Sequence, residues 1–163
     1  MKHELSGEQL DDTDESHDSL RYGCGNPSEG DLLYSPAPLY HAALLHFCMS
    51  MHRFGCGFVI PDRFDAENSL RLIERYRCGY GLWVPTMFAR LLKLPAEVRE
   101  GYDVSCVQAA IHGAAPCAVE IKQVMIDWFG PVLLEYYGAT EGNGVCLITS
   151  KEALLRPGSV GKA

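Results

Sequence analysis

The chain has 163 residues, of which 47% are hydrophobic and 21% are charged, and its formal net charge at pH 7 is −7. This length suits one ordinary domain and is too short for two, and the composition excludes a wholly disordered or collagen-like chain. Nucleic-acid binding is not expected of so acidic a protein, because phosphate contacts require clusters of lysine and arginine.

The negative charge is concentrated at the N-terminus. Residues 1–30 contain eight acidic and two basic side chains, a net charge of −6, whereas residues 31–163 contain 13 acidic and 12 basic side chains, a net charge of −1. The first segment is also rich in Ser and Gly and has no sustained hydrophobic period. We therefore expect an acidic, disordered leader over residues 1–30 and a folded domain over residues 31–163.

The cysteines indicate a reducing compartment. The chain has seven of them, an odd number, and no two form a CxxC pair. Most lie within apolar runs, which is typical of buried thiols and not of a disulfide framework. The N-terminus lacks a secretory signal, and the longest apolar stretch is interrupted by histidines and is too short to span a membrane. These features predict a cytoplasmic protein without a transmembrane segment.

Beyond residue 31, apolar runs typical of strands alternate with helical patterns. In chain order the sequence predicts strand Leu32–Ser35, helix Tyr40–His52, strand Cys56–Ile60, helix Asp65–Arg77, strand Tyr80–Val84, helix Thr86–Leu94, strand Cys106–Ile111, helix Cys117–Phe129, strand Val132–Tyr136 and strand Val145–Ile148. Such alternation indicates an α/β fold with a mainly parallel sheet flanked by helices.

Local signals support two of these helices and assign a buried face to a third. Asp65 is a plausible N-cap for its helix, and Pro95 follows the end of helix Thr86–Leu94. In helix Cys117–Phe129, a helical stripe is predicted to pack on the core, and it comprises Cys117, Ile121, Val124 and Trp128. The side chains predicted to point away from the core are Glu120, Lys122, Gln123 and Asp127.

In open α/β sheets, ligands bind outside the carboxyl ends of the strands. The segments that follow predicted strands are Pro36–His41, Pro85–Met87, His112–Pro116 and Tyr137–Gly144. We expect these four segments to lie along one edge of the sheet and to contain the ligand site.

The segment from Tyr136 to Gly144 is the most informative of the four. Its glycines allow a ligand to approach the backbone, the two adjacent tyrosines offer a stacking surface, and a Thr-Glu pair could contact a phosphate and a hard cation such as Mg²⁺. A Gly-rich turn closed by Asn143 and Gly144 explains the same pattern without a ligand.

The other segments have two interpretations each. The small residues of Gly113–Pro116 leave backbone exposed before a helix, which suits a planar or anionic ligand, but an ordinary strand-to-helix loop has the same composition. His41 could position a carboxylate substrate, or it could cap or pack against the helix that follows it. Trp83 and Met87 either pack in the core or line an apolar pocket.

Taken together, the motifs resemble the adenylate-forming superfamily of acyl-CoA synthetases, the AMP-binding ligases. Tyr137-Gly138-Ala139-Thr140-Glu141 resembles that family's YGxTE motif, and Ser35–His41 resembles its PLYH segment. Gly113–Pro116 resembles its adenine-side loop, and Arg156–Gly161 resembles its RPGSVG stretch. Order and spacing agree over residues 31–163, and the stretches EYYGATEGNG and WVPTMFARLLKLP are most similar to the fatty-acyl-CoA synthetase branch.

This resemblance implies a two-step reaction in which ATP and a carboxylic acid give an acyl-adenylate and pyrophosphate, and coenzyme A then displaces AMP. It implies that Thr140 contacts a phosphate, Glu141 binds Mg²⁺ and His41 serves the acyl carboxylate, which makes these three the candidate catalytic residues. The residues implied to bind the nucleotide are Gly113, Ala114, Ala115, Pro116, Tyr136, Tyr137, Gly138, Ala139 and Thr140. The residues implied to border the acyl pocket are His41, Trp83, Met87 and Gly113.

The chain departs from the family pattern in two places. The Gly, Ser and Thr-rich phosphate loop is not found in residues 1–34, and the sequence ends before the family's ribose-binding Asp and C-terminal Lys domain. We therefore expect a partial AMP-binding domain, one sheet subdomain of the enzyme, which turns over negligibly without the missing lobes. The alternatives are a non-catalytic module that binds a nucleotide or an acyl group, and a gene fragment without an independent function.

A subdomain of a larger body should also expose apolar surface that its neighbours would cover. The apolar helix Tyr40–His52 is expected to contribute most of that surface.

Overall fold

The structure is a computed structural model, and it describes residues 25–140 and 144–162. In chain order these residues form β1 (Leu32–Tyr34), α1 (Ala42–Arg53), β2 (Gly57–Val59), α2 (Ala66–Tyr76), β3 (Tyr80–Trp83), α3 (Pro85–Leu92), α4 (Ala96–Glu100), β4 (Ala109–His112), α5 (Val119–Phe129), β5 (Leu133–Gly138), β6 (Val145–Thr149) and α6 (Ser150–Leu155). Each element expected from the sequence is present. The observed bounds of these elements differ from the expected bounds by at most three residues. Two further helices, α4 and α6, were not expected. The leader expected over residues 1–24 lies outside the described residues.

The six strands form one sheet in the order β2-β1-β3-β4-β5-β6. The first five are parallel, and β6 pairs with β5 in the antiparallel direction. The expectation of a mainly parallel sheet flanked by helices is confirmed. The parallel strands have their carboxyl ends at one edge, and we call this the carboxyl edge of the sheet.

Side chains alternate between the two faces of the sheet, and each face has its own core. On one face, α2, α3 and α5 cover Tyr34, Trp83, Ala110 and Leu133, and we call this the three-helix face. On the other, α1 covers side chains that include Leu33, Leu82, Ile111 and Leu134, and we call this the α1 face.

Two helix boundaries have clear local causes. The carboxylate of Asp65 accepts a hydrogen bond from the backbone N–H of Asn68 at 2.9 Å, which confirms Asp65 as the N-cap of α2. The helix ends at Arg77, which has a left-handed conformation with φ of 53°. Pro85 occupies the first turn of α3, where its missing N–H costs no helical hydrogen bond.

The Ser150 side chain ties the unexpected helix α6 to β5. Ser150 Oγ accepts a hydrogen bond from the Leu133 N–H at 2.8 Å and donates one to the Leu133 carbonyl at 2.9 Å. A capping box between Thr149 and Glu152 starts the helix. The sequence Thr-Ser-Lys-Glu carries this signal, so the helix could have been found from the sequence.

The buried stripe of α5 differs from the one expected. Its buried residues are Lys122, Met125, Ile126 and Phe129, whereas the Val124 side chain is 43% exposed. Ile121 and Trp128 are partly buried against the core, as expected. The assignments of Val124 and Lys122 were wrong because a lysine was assumed to face solvent, whereas Lys122 pairs with a buried carboxylate on β5.

The six cysteines in the described part of the chain are free, and three of them are buried. Burial raises the pKa of the Cys78 thiol to about 12, so this sulfur is an unreactive packing group. These features agree with the expectation of unpaired thiols. No helix within residues 25–140 and 144–162 is long and apolar enough to cross a membrane.

The α1 helix leaves apolar side chains at the surface. Leu45 is 47% exposed and Met49, one turn later, is 62% exposed, and Tyr40 just before the helix is 82% exposed. The helix thus presents apolar surface, as expected, but it does not contribute most of it, since other exposed apolar side chains in the described residues include Tyr137 and Leu155.

We expect the double substitution Leu45→Gln and Met49→Gln to lower the fluorescence of a bound hydrophobic dye by about half. The melting temperature should stay close to that of the wild type, since neither side chain is in the core. The contrasting variant is Leu44→Gln, which alters a side chain that is 1% exposed and should lower the melting temperature sharply. Dye binding that is unchanged in the double variant would show that the apolar surface lies elsewhere.

Candidate active site at the carboxyl edge of the sheet

Register aligns the ends of the three central strands. Trp83 on β3 pairs with His112 on β4, and His112 pairs with Glu135 on β5. Strands β3 and β4 therefore end at the same level of the sheet, whereas β5 continues for three residues beyond that level. The described parts of the four segments that follow the strands therefore begin at the carboxyl edge, as the sequence predicted.

Gly113, directly after β4, is packed against Tyr136 of β5. A Cβ atom at Gly113 would lie 2.6 Å from Tyr136 Cε1 and 2.8 Å from the Tyr136 carbonyl oxygen. Only glycine fits here without a shift of the backbone. The Tyr136 ring also packs on Phe47 of α1, with the ring centroids 5.4 Å apart. Burial raises the pKa of the Tyr136 hydroxyl.

The two adjacent tyrosines lie on opposite faces of the sheet. Tyr136 belongs to the α1 face, whereas Tyr137 is 66% exposed at the carboxyl edge. They do not form the single stacking surface expected from the sequence, because successive side chains of a strand alternate. Tyr137 alone offers an accessible ring beside the segment Gly138–Thr140, which is exposed.

The loop Gly113–Pro116 presents backbone with little side-chain cover. Ala114, Ala115 and Pro116 are exposed, and Ala114 has a φ of 68°, which is unusual for a residue other than glycine. The loop leads into α5, whose N-cap residue is Ala118 and makes no side-chain cap. The first N–H groups of α5 can therefore meet an anion or a polar ligand.

Behind this loop, three ionisable side chains are buried on the three-helix face. His112 is fully buried, and its ring meets Phe88 edge-on with the centroids 5.3 Å apart. Lys122 of α5 is 7% exposed and forms an ion pair with Glu135 of β5, which is 5% exposed. Sequence reasoning missed this pair. The available signal was a glutamate inside the apolar strand run Leu133–Tyr136, a position that needs a buried partner.

His112 is held in its neutral form. Among the described residues, neither ring nitrogen has a hydrogen-bond partner. Burial, with a smaller contribution from the Lys122 charge, lowers the pKa of His112 from 6.5 to about 3.

The residues expected to border an acyl pocket are not brought together on one face. Trp83 is 2% exposed and packs between Tyr34 and Phe88 on the three-helix face, with ring centroids 5.2 and 5.8 Å away. His41, in contrast, is the exposed N-cap residue of α1, on the other face, and makes no side-chain cap. The Trp83 side chain is thus a core group separated from α1 by the sheet. Met87 is half-buried against the same core.

The phosphate and metal side of the site is described only in part. Thr140 is exposed, whereas Glu141 and Asn143 lie outside the described residues. Within residues 25–140 and 144–162, no group of three or more His, Cys, Asp or Glu side chains could hold a metal ion. The expected Mg²⁺ site at Glu141 therefore stays a prediction, and so does the hairpin turn at Asn143.

The segment Arg156–Gly161 folds back on β6. The Leu147 N–H donates a hydrogen bond to the Lys162 carbonyl at 3.0 Å, so the chain that follows the segment forms an isolated bridge beside the strand. Gly161 has a φ of 95° at this close approach, which explains the glycine.

Comparison with known proteins identifies the family of this chain. A family model described as AMP-binding enzyme matches residues 14–163, and the chain belongs to that family. Its sequence places it in the adenylate-forming ligase family, and its six-stranded sheet has the fold of that family.

Among curated proteins, the chain is 33% identical over 110 residues to a probable CoA ligase of Humulus lupulus, a match that covers 66% of this chain and 20% of that protein. It is 32% identical to a 4-coumarate:CoA ligase of Petunia hybrida, covering 80% of this chain and 25% of the relative. A luciferin 4-monooxygenase of Luciola mingrelica is 31% identical, with 83% and 24% covered. The chain thus spans no more than about a quarter of the length of these relatives.

Solved structures share the fold. The N-terminal domain of FACL13 from Mycobacterium tuberculosis superposes with a TM-score of 0.78 and 26% identity, covering 89% of this chain and 36% of that one. An amide bond synthetase from Marinactinospora thermotolerans has a TM-score of 0.77 at 22% identity, with 91% and 29% covered. The likeness to the second protein is a likeness of fold.

We expect Gly113→Ala to destabilise the protein by about 1–3 kcal/mol, because the new methyl group must displace Tyr136 and its backbone. Equilibrium unfolding in urea measures this effect. The matched control is Ala114→Gly in the same loop, which removes a side chain from a left-handed residue and should be neutral or slightly stabilising. Equal effects of the two substitutions would contradict the packing described for Gly113.

The neutral His112 should make stability depend on pH. Its folded-state pKa of about 3 lies below the value of 6.5 for the free side chain, so the unfolded chain binds the extra proton. Its contribution is complete above pH 6.5 and is lost as the pH falls from 6.5 towards 3, with a slope of at most about 1.4 kcal/mol per pH unit. We expect His112→Met to flatten this slope in urea unfolding curves recorded from pH 7 to 4. A slope as steep in the variant as in the wild type would show that other groups cause it.

Proposed function

We propose that the chain forms the adenylate-binding part of an acyl-CoA synthetase. In the reaction of this family, a carboxylate oxygen attacks the α-phosphorus of ATP and pyrophosphate leaves, which gives an acyl-adenylate. The sulfur of coenzyme A then attacks the acyl carbonyl carbon, AMP leaves and a thioester forms. The observation that carries the proposal is that loop 113–116, which follows β4, and segment 136–140, which ends β5 and continues beyond it, lie on adjacent parallel strands at the carboxyl edge.

We assign the nucleotide to the exposed side of this edge. The accessible Tyr137 ring can stack on the adenine, and the small residues of Gly113–Pro116 allow its other side to approach the backbone. Gly138 and Ala139 add little side-chain bulk next to the nucleotide. Thr140, which is exposed, donates its hydroxyl to a phosphate oxygen in this scheme.

The acyl group belongs on the α1 face in this proposal. His41 begins α1, and Tyr136 lies between Gly113 and Phe47, so this side of the edge is lined by apolar and aromatic groups. His41 orients the carboxylate, and Tyr136 belongs to the acyl side more than to the adenine side. This differs from the role that motif resemblance gives to Tyr136 and follows from the alternation of side chains along β5.

The proposed Mg²⁺ site rests only on the resemblance of Tyr137–Glu141 to the YGxTE motif. Glu141 would hold the ion, which supplies positive charge to the phosphates of ATP when bound. The residues that the structure describes add no further ligand set.

A fatty carboxylic acid is the substrate class that we propose. The support is the resemblance of EYYGATEGNG and WVPTMFARLLKLP to the fatty-acyl branch, together with the 25% identity to a fatty acyl CoA synthetase of Mycobacterium tuberculosis. The curated relatives include 4-coumarate CoA ligases at similar or higher identity, so an aromatic acid is the competing class. We place the protein in the cytoplasm, where free thiols and the substrates ATP and coenzyme A coexist.

We further propose that the 163-residue chain binds AMP but does not turn over by itself. Neither the phosphate loop nor the lysine of the C-terminal domain occurs in this sequence, and the loss of even one preorganised donor typically costs on the order of a hundredfold in rate. A binding module without catalysis, the second candidate function, is therefore the role that we propose for these 163 residues by themselves.

We expect titration calorimetry to detect AMP and a non-hydrolysable fatty acyl-adenylate, with the acyl-adenylate bound more tightly. Tyr137→Ala should weaken AMP binding at least about tenfold, because stacking on an aromatic ring contributes on the order of 1–3 kcal/mol. The matched control is Tyr76→Ala, which removes a tyrosine that is 43% exposed on α2, away from the carboxyl edge.

Pyrophosphate exchange with fatty acids measures turnover in the same samples. We expect AMP binding together with exchange no higher than that of Glu141→Ala, and exchange above this control would contradict the proposal that the chain does not turn over by itself. No binding of either ligand by the wild type would refute the nucleotide site altogether.

A further inference from the structure

One buried ion pair lies directly behind the candidate nucleotide site. The ammonium of Lys122 on α5 donates a hydrogen bond to the carboxylate of Glu135 on β5, and both side chains are almost fully buried. His112, Lys122, Glu135 and Ser150 line one narrow space between the helices and the sheet that has no room for a water molecule. The two charged groups are therefore largely shielded from solvent, with 9% of the Lys122 side chain and 5% of the Glu135 side chain exposed.

Stability by itself does not explain such a pair. Burying two charges costs a large part of what their attraction returns, and apolar side chains of similar volume are often as stable or more stable in the same place. Apart from His112 and Ser150, the neighbours of the pair are mostly apolar, and they include Met125 and Ile126 on α5 and Leu133 on β5. An apolar pair would suit these surroundings.

The position of the pair suggests a different purpose. Lys122 is the fourth residue of α5, so it fixes the helix that begins at the end of loop 113–118. Glu135 lies two residues before Tyr137 and pairs in the ladder with His112, the last residue before Gly113. One directional contact therefore connects the two segments that border the candidate nucleotide site.

Hydrophobic packing cannot provide this connection with the same precision. Apolar contacts are non-directional, and a helix can slide along a strand by a fraction of a turn with little loss of buried area. A buried hydrogen-bonded ion pair tolerates no such displacement, because an unpaired buried charge is strongly unfavourable.

We propose that Lys122 and Glu135 are positioning residues whose ion pair fixes the start of α5 against the end of β5 and thereby sets the spacing between loop 113–116 and Tyr137. The consequence for ligand affinity rests on the proposed function, whereas the consequence for the two segments does not. Neither residue touches the ligand in this scheme.

The test compares the wild type with the double variant Lys122→Met and Glu135→Leu, which removes both charges together. We expect the melting temperature to be unchanged or higher. We expect amide hydrogen exchange, measured by NMR, to accelerate at least about tenfold in two segments, the start of α5 at Gln123–Met125 and the end of β5 at Tyr136–Tyr137, and to stay unchanged in α2 and β1. AMP affinity should fall by about the same factor, since small misplacements of binding groups have large effects.

Two further variants act as controls. Arg77→Gln with Asp103→Asn removes an ion pair whose side chains are more than half exposed, and it should change neither the exchange of these two segments nor AMP affinity. The exchanged pair Lys122→Glu with Glu135→Lys restores opposite charges in the same place and should recover slow exchange in both segments.

Each result is decisive. Unchanged exchange at both segments in the apolar double variant would overturn the proposal. A uniform acceleration throughout the sheet, or a failure of that variant to fold, would also overturn it, since either result would show that the pair serves stability. Absence of AMP binding in the wild type would refute the proposed function, but the exchange measurements would still decide whether the pair positions the two segments.

Discussion

The parallel register of the central strands is the constraint on which the rest of the molecule depends. It places Trp83, His112 and Glu135 in one row on the three-helix face. The chain continues beyond that row into the loop at Gly113 and the exposed Tyr137. A shift of one residue in either pairing would exchange the faces of every side chain in that strand. The register therefore decides both what is buried and what reaches the ligand edge.

The two ends of that row are packed differently. Towards β1, aromatic rings fill the layer, with Trp83 between Tyr34 and Phe88. Towards β5, the layer contains ionisable groups: His112 is neutral, and Glu135 is paired with Lys122. Buried ionisable groups are costly in a core, and these are concentrated next to the segments that carry the family motifs. Their location agrees with a role in the geometry of the site.

On the α1 face, the packing of Gly113 against Tyr136 connects three elements of the fold. The Tyr136 ring occupies the space of the missing side chain at Gly113 and also contacts Phe47 of α1. One aromatic side chain thus joins the β4 loop, the end of β5 and the helix that follows the PLYH segment. The chain spans no more than about a quarter of the length of the curated relatives named above. The outer side of α1 presents Leu45 and Met49 at the surface.

The sequence by itself determined the α/β class, the order of strands and helices, the Asp65 cap and the family, because hydrophobic period, capping residues and ordered motifs are local properties of the chain. It did not determine that Lys122 is buried, that Tyr136 and Tyr137 point to opposite faces of the site, or that the sheet separates Trp83 from α1. These were decided by the tertiary structure, since burial of a charge depends on a partner 13 residues away in the chain, and the role of a strand residue depends on which face its neighbours cover.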